Sequence, residues 1–223
     1  TKLGISLCEA RVIADVEQII ISHVQELSER YDYLFTSGGI GPTHDDITTQ
    51  SVAAAFGVPV IRHAEAEARL VRHYQDTDIN FNEARQKMAD IPDTATLLDN
   101  PVSAAPGYKL GNVYVMAGVP SILQAMFATF SHTLTGGVQP TRITIQCAIG
   151  EGTIATIMGD VATSFDGVSV GSYPWFKPGQ FGTAVVLTGL DAEKVDKAAT
   201  ELEDLVKQSG YEARRDLDNS TPV

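Results

Sequence analysis

The apolar residues of this chain come in short blocks, and the spacing inside the blocks switches between two periods. Residues 5–13 (ISLCEARVI) and 31–36 (YDYLFT) are rich in β-branched, aliphatic and aromatic side chains and predict strands. Between them, VEQIIISHVQELSER repeats its apolar residues at helical spacing. Asp15, with Gln18 three residues on, has the spacing of a capping box for that helix. Thr48 as N-cap and Gly57 as stop frame a second helix, TQSVAAAF, and VPVI after it reads as an extended connection. Residues 64–76 and 81–89 predict helices whose many charges form a solvated face. Residues 94–98 (TATLL) predict a strand, 100–107 (NPVSAAPG) a loop and 112–118 (NVYVMAG) a buried strand. Pro120 sits at the first position of a helix, PSILQAMFATF. Strands alternating with helices predict an α/β domain whose mostly parallel sheet is covered on both faces.

The pattern changes near residues 136–140 (GGVQP), which reads as a linker, so the expected domains are 1–137 and 138–223. Beyond it the order is strand 141–147, helix 151–162, strand 167–173, strand 181–188, helix 191–208 and a last strand near 211–214. This β-α-β-β-α-β order predicts a small split α+β domain. Gly150-Glu151-Gly152 and Gly171-Ser172-Tyr173-Pro174 read as turns, with contact to a ligand or a second subunit as the other reading.

Composition narrows the class. The 223 residues suffice for one large domain or two small ones. The formal net charge is −12, which argues against non-specific nucleic-acid binding but leaves room for a small anion held by backbone amides. No apolar run approaches the roughly 20 residues needed to span a membrane, and no signal peptide opens the chain. Cys8 and Cys147 lie far apart in apolar stretches, as buried free thiols of a reducing, cytoplasmic compartment would. The chain begins at Thr1 without Met, and Leu3-Gly4-Ile5 resembles the end of a helix running into a strand, so a preceding segment is expected.

The candidate chemistry sits on the loop after the second strand. Ser37-Gly38-Gly39-Ile40-Gly41 lies between a strand and a helix, where ligands bind in open parallel sheets. Glycines permit positive φ and close backbone approach, and their amides can form an anion-binding nest next to a helix N-terminus. The loop lacks the Gly-Lys-Ser/Thr of a P-loop, and His44 occupies the place of the third glycine of a dinucleotide fingerprint. A glycine-rich turn without a ligand is the alternative. Asp45 and Asp46 would repel a phosphate unless a cation intervenes, and a divalent metal held by one or two carboxylates plus phosphate oxygens is a common solution. A metal-activated water could then attack a pyrophosphate. Each aspartate has a second reading as a cap of the loop or helix, and His44 reads as an exposed loop residue.

SGGIGPTHDDIT (37–48) resembles the glycine loop of the molybdopterin-binding family of the MoaB/Mog type. The nearest subgroup is that of the competence/damage-inducible CinA proteins and the corresponding domain of eukaryotic FAD synthases. Further matches are Ala14-Asp15, the segment NEARQKMA (82–89), the loop NPVSAAPG (100–107) and MAGVPS (116–121), so the resemblance runs from near residue 5 to about 130. It implies a three-layer MoaB/Mog-like α/β domain that binds a pterin or nucleotide ligand in a homo-oligomer. The family's functional aspartate after the glycine loop matches Asp46, and a second one, at a helix start, matches Asp15. Ser37, Gly38, Gly39, Gly41, Thr43, Gly118, Pro120 and Ser121 fall on its ligand-binding segments. Mog-type enzymes carry a basic residue where this chain has Asp45, which argues against adenylation of molybdopterin. The Asp45-Asp46 pair instead implies hydrolysis of a nucleotide pyrophosphate, such as ADP-ribose or FAD, with Mg²⁺, Mn²⁺ or Co²⁺ held by both carboxylates. A pterin- or nucleotide-binding module and a molybdopterin adenylyltransferase are the alternatives. The subgroup's first strand, its Gly-Asp-Glu segment and the C-terminal amide-hydrolysing domain of CinA have no counterpart in the sequence. Residues 141–223 resemble its small KH-like domain, without a basic GXXG loop that would favour RNA.

Overall fold

The computed structural model describes residues 3–75 and 77–216. The chain divides into two units, one formed by Glu9–Leu134 and the other by Thr1–Cys8 with Thr135–Val223. The first residues, read from sequence as the start of the first domain, thus group with the second. There the Gly137 N–H donates to Gly4 O at 3.1 Å, and Gly4 itself has φ +67°.

In the first unit, a four-stranded sheet has the order β1 (Leu34–Ser37), β6 (Val113–Met116), β5 (Gly107–Leu110), β4 (Thr96–Leu98). β1 and β6 are parallel, whereas β5 pairs antiparallel with both β6 and β4. The α/β class stands, and the sheet itself is mixed where a mostly parallel one was expected. The reason is local: Gly111-Asn112 is too short for a crossover, so β5 and β6 form a hairpin, with Gly111 at φ +59°. A short antiparallel pair, β2 (Val60–Arg62) with β3 (Asp90–Pro92), lies apart from this sheet.

Layering follows from the period-2 alternation of the strands. Tyr108, Leu110, Val113 and Val115 pack with Ile20 and Val24 of α1 (Glu17–Arg30), Val52 of α2 (Thr48–Phe56) and Leu70 of α3 (Ala64–Gln75). Tyr114 points the other way and stacks on Phe130 of α5 (Pro120–Phe130), ring centroids 5.0 Å apart. All four β6 residues are buried, as expected of a strand covered on both faces. The segment 81–89 resolves into a single α-helical turn, α4 (Glu83–Gln86), and a 3₁₀ turn, Lys87–Ala89.

Two expectations near the start fail. Residues 6–14 join none of the described sheets, although their composition is strand-like. Leu7 and Val12 are exposed, and an ion-pair network stands in for a ladder: Arg11 bridges Glu9 at 2.5 Å and Glu26 of α1 at 2.6 Å. Asp15 does not cap α1. The N-cap is Val16, which has no side chain able to cap, and the helix starts on the Val16 carbonyl. Thr48, likewise, is the first helical residue of α2 rather than its cap, while Gly57 ends α2 at φ +66° as its sequence position predicts.

The loop 99–106 is built around Asn100, which is 7 % exposed. Its amide donates to Ser103 Oγ at 2.7 Å and Ala105 O at 2.8 Å, and its oxygen accepts from the Val102 and Ser103 amides. Four hydrogen bonds at a buried side chain predict that Asn100→Ala costs about 2–4 kcal/mol of stability, measurable by denaturant unfolding.

The second unit follows the expected order: β7 (Thr141–Cys147), α6 (Glu151–Ser164), β8 (Val168–Lys177), β9 (Gln180–Gly189), α7 (Ala192–Gln208) and β10 (Ala213–Arg215). The sheet runs β10-β7-β9-β8, antiparallel throughout. Ile145, Val185 and Leu187 pack under Ile154 and Val161 of α6 and Leu202 and Val206 of α7. Asp191 caps α7 by accepting from the Lys194 amide at 3.1 Å. Gly171–Pro174 is not a turn but the middle of β8, an edge strand, where proline does no harm to the ladder. Gly150 precedes α6 as its N-cap, and Glu151 accepts from Ser172 Oγ. Cys147 is buried, its thiol pushed up to about 12 by burial and then by Glu203, so it is inert. Cys8, expected to be buried, is exposed, because its segment has no strand partner to cover it. Among the described residues no helix is long and apolar enough to cross a membrane.

Candidate active site

Parallel strands β1 and β6 end side by side, Ser37 paired with Met116, and each opens into a glycine-bearing turn. The Gly38 amide donates to Met116 O at 2.9 Å, extending the pairing by one residue. The backbones then come very close: a Cβ on Gly118 would lie 3.1 Å from Gly38 Cα. Gly38 and Gly39 take φ +96° and +70°, which side-chain-bearing residues seldom adopt. Gly39 turns the chain so that its carbonyl accepts from the Thr48 amide at 3.0 Å, at the start of α2.

Both helices that leave this end of the sheet lack a side-chain cap. α2 starts after Ile47, and α5 starts after Val119 with Pro120 at its first position. Apart from the Thr48 amide, which Gly39 O accepts, and Pro120, which has none, their first-turn amides are left for solvent or a ligand. Gly118, Pro120 and Ser121 are all exposed there, as is Ser37. The structure therefore brings Ser37, Gly38, Gly39, Gly118, Pro120 and Ser121 to one edge of the domain.

The acidic part is a tight knot. Asp46 Oδ2 accepts from the Thr43 amide at 2.9 Å and from Thr43 Oγ1 at 2.5 Å. Gly41 is small for the same reason, since a Cβ there would lie 2.6 Å from Asp46 Oδ2. Thr43, a residue matched to the ligand-binding segment, thus spends its amide and hydroxyl on Asp46. Asp46 is half-buried, whereas Asp45 and His44 are exposed. Burial opposes ionisation of Asp46, but the hydrogen bonds from Thr43 and the Gly41 amide outweigh it and hold the carboxyl below its usual range. Asp45 is also held low, by the nearby Thr43 side chain first and then by its own amide. Thr43 has one hydroxyl proton, and the 2.5 Å distance gives it to Asp46. Asp15 is exposed, one residue ahead of the N-cap of α1, and makes no hydrogen bond or ion pair with these residues.

One residue of the site went unread in the sequence. Lys87 Nζ donates to Thr43 O at 2.7 Å and to Asp46 O at 3.0 Å, from a turn 41 residues further along the chain than Asp46. The only signal for it was its place in NEARQKMA, where it read as one more solvated helix charge. Ile40, Gly41, Asp46, Lys87 and the buried Tyr108 line a small cleft behind the loop, with room of about 10 Å³.

A divalent cation would find few protein ligands here. Among the described residues no group of three His, Cys, Asp or Glu side chains could cage a metal. Asp45 and Asp46 supply at most two carboxylates, one open and one already hydrogen-bonded. That donor set suits Mg²⁺ shared with phosphate oxygens and water, not a metal held by protein alone.

Acid should undo the knot. Because Asp45, Asp46 and, through Arg11, Glu9 and Glu26 have lowered folded-state values, their stabilisation is complete above the unfolded range near 4. It is lost as pH falls through the lowered values. The thermal midpoint is therefore expected to gain nothing from these groups between pH 5 and 7 and to fall below about pH 4.

Residues 1–136 match the family model described as "Probable molybdopterin binding domain". The chain belongs to this molybdopterin-binding domain family. Residues 141–214 match a second model, "FAD synthase, middle domain". A protein of Archaeoglobus fulgidus, without a descriptive name, is 30 % identical over 206 residues, which cover 92 % of this chain and 86 % of that protein. A "Putative competence-damage inducible protein" of Clostridium botulinum is 24 % identical over 214 residues, 92 % of this chain but 52 % of its own length, so the chain spans about half of it. A crystal structure of CinA from Thermoplasma acidophilum, titled as of unknown function, is 30 % identical, covers 53 % of this chain and 72 % of its own, and superposes with a TM-score of 0.48. Membership in the molybdopterin-binding family points to a small-molecule ligand.

Proposed function

We propose that this chain is a metal-dependent hydrolase of nucleotide pyrophosphates of the ADP-ribose or FAD kind. The observation that carries the reading is the open Asp45 carboxylate beside Asp46, at the end of a positive-φ glycine turn on the carboxyl edge of β1 and β6. The likeness of residues 141–214 to a domain of FAD synthase fits a dinucleotide ligand.

In this reading the Gly39 amide and the first-turn amides of α2 and α5 that are not already bonded within the fold take the phosphates. Asp46 is fixed by Thr43 and orients its free oxygen, and Asp45 offers the second carboxylate. A divalent cation bound by them supplies charge neutralisation on the phosphates and acidification of a water. Water adds its oxygen to one phosphorus, the bond from that phosphorus to the bridging oxygen breaks, and two phosphomonoesters and a proton leave. Asp15, exposed ahead of α1 and hydrogen-bonded to none of these residues, is left to meet the other end of the ligand.

A second reading, a pterin- or nucleotide-binding module without chemistry, is favoured by the fact that Asp46 is already engaged in holding the loop. It predicts ligand binding with no turnover under any of the ions. The test is incubation with ADP-ribose or FAD and Mg²⁺, Mn²⁺ or Co²⁺. Two phosphomonoesters per substrate support the hydrolase, and absence of turnover with all three ions contradicts it.

A further inference from the structure

We infer that Lys87 is the phosphate-facing cation of this site, supplied from outside the glycine loop. The inference rests on the nucleotide-pyrophosphate reading above. Three observations carry it. First, the loop 37–47 is acidic and contains no Lys or Arg, yet it is placed to receive an anion. Second, among the described residues Lys87 is the only cation that hydrogen-bonds to this loop, through two carbonyls on opposite sides of the acidic pair, at 2.7 and 3.0 Å. Third, Lys87 forms no ion pair with any described carboxylate, although Asp46 and Asp90 line the same cleft; its field reaches Asp45 only at a distance.

An ammonium has three donors. Two are used on Thr43 O and Asp46 O, and the third has no acceptor among the described residues while Lys87 lines the cleft with Gly41 and Asp46. The two carbonyl bonds hold the head group in place; the cleft behind it has room for only about one water, so a phosphate oxygen would meet the remaining N–H from the cleft mouth. In a P-loop the lysine follows the glycines in sequence. Here the same point charge arrives from the turn Lys87–Ala89 and leaves the loop free to carry carboxylates instead. The arrangement gives the ligand a cation of the protein's own in addition to a shared metal.

The test is binding in a chelator, so that metal plays no part, to ADP-ribose and FAD and to their phosphate-free counterparts adenosine and riboflavin. Lys87→Met is expected to weaken ADP-ribose or FAD at least tenfold and to leave adenosine and riboflavin within twofold. Lys87→Arg keeps the charge and is expected to recover most of the loss. Thermal midpoints of both variants report whether the loop still folds. Equal affinity of Lys87→Met and wild type for the pyrophosphate ligands overturns the inference alone. An equal loss for the phosphate-free ligands also overturns it, and makes Lys87 a staple of the loop. A wild-type protein that binds no pyrophosphate ligand in the chelator overturns the inference, and one that binds none with Mg²⁺ either overturns the nucleotide-pyrophosphate reading as well.

Discussion

Asp46→Asn is expected to lower pyrophosphate hydrolysis by about 10³-fold or more while the protein stays folded, since a carboxylate that helps hold the metal and orient water is typically worth that much. Asparagine keeps an oxygen for the Thr43 amide and hydroxyl, so the loop retains its two short hydrogen bonds at 2.9 and 2.5 Å. Asp46→Ala removes that acceptor as well and is expected to cost a further 1–3 kcal/mol of stability, because two donors lose their partner. The pair of variants separates the two jobs of this side chain. If Asn behaves as Ala in both stability and activity, the carboxylate serves the loop only. If Asn retains full activity, the charge is irrelevant and the hydrolase reading fails. Asp45→Asn, at an exposed position, is expected to lower the rate and to cost only the small stabilisation that the Thr43 side chain and its own amide give the charged carboxylate.

The second large effect is expected at Gly39. Gly39→Ala places a Cβ 2.0 Å from Thr48 Oγ1 and 2.9 Å from Thr48 Cβ, on a backbone at φ +70°. The left-handed conformation alone costs about 1–2 kcal/mol for a residue with a side chain. Thr48 is buried at the start of α2, so it cannot swing aside freely, and the collision should raise the total to about 3–4 kcal/mol. Gly57→Ala is the control. Gly57 has nearly the same φ, +66°, but its Cβ would meet nothing within 4 Å, so only the backbone cost remains. Denaturant midpoints for the two variants should differ clearly, and ligand binding should be lost only at Gly39. Equal stability of the two would mean that the turn is not the tight, preorganised element described here.

How much of this could be read beforehand depends on which interactions are local. The second unit is legible almost residue by residue, because every element is set by its own period: β7 runs over Thr141–Cys147 and α7 over Ala192–Gln208, close to where the pattern places them. Gly57 and Pro120 likewise act through their own backbones. The failures concern partners. Residues 6–14 have a strand's composition, but a strand needs a neighbour, and composition does not say whether one is present. β3 and β5 were missed because three or four residues carry too little pattern to stand out. Asp15 has the spacing of a cap, yet the chain enters α1 one residue later, on Val16.

The site divides along the same line. The glycine turn and the two aspartates are contiguous, so their juxtaposition shows in the sequence. Lys87 meets the loop across more than forty residues, and its role depends on where a single turn of helix and a 3₁₀ turn deliver it. Thr43 illustrates the opposite error: it lies in the right segment, but its donors are consumed by Asp46.

Hydrolysis by water at an Asp46-dependent site is the central claim, and oxygen labelling tests it most directly. ADP-ribose or FAD is incubated with wild-type protein and with Asp46→Asn in ¹⁸O-water containing Mg²⁺, and the phosphomonoesters are weighed by mass spectrometry. One ¹⁸O per bond cleaved by the wild type, with little or no product from Asp46→Asn, is the predicted result. No cleavage by the wild type, or the same labelled products from Asp46→Asn, would contradict it.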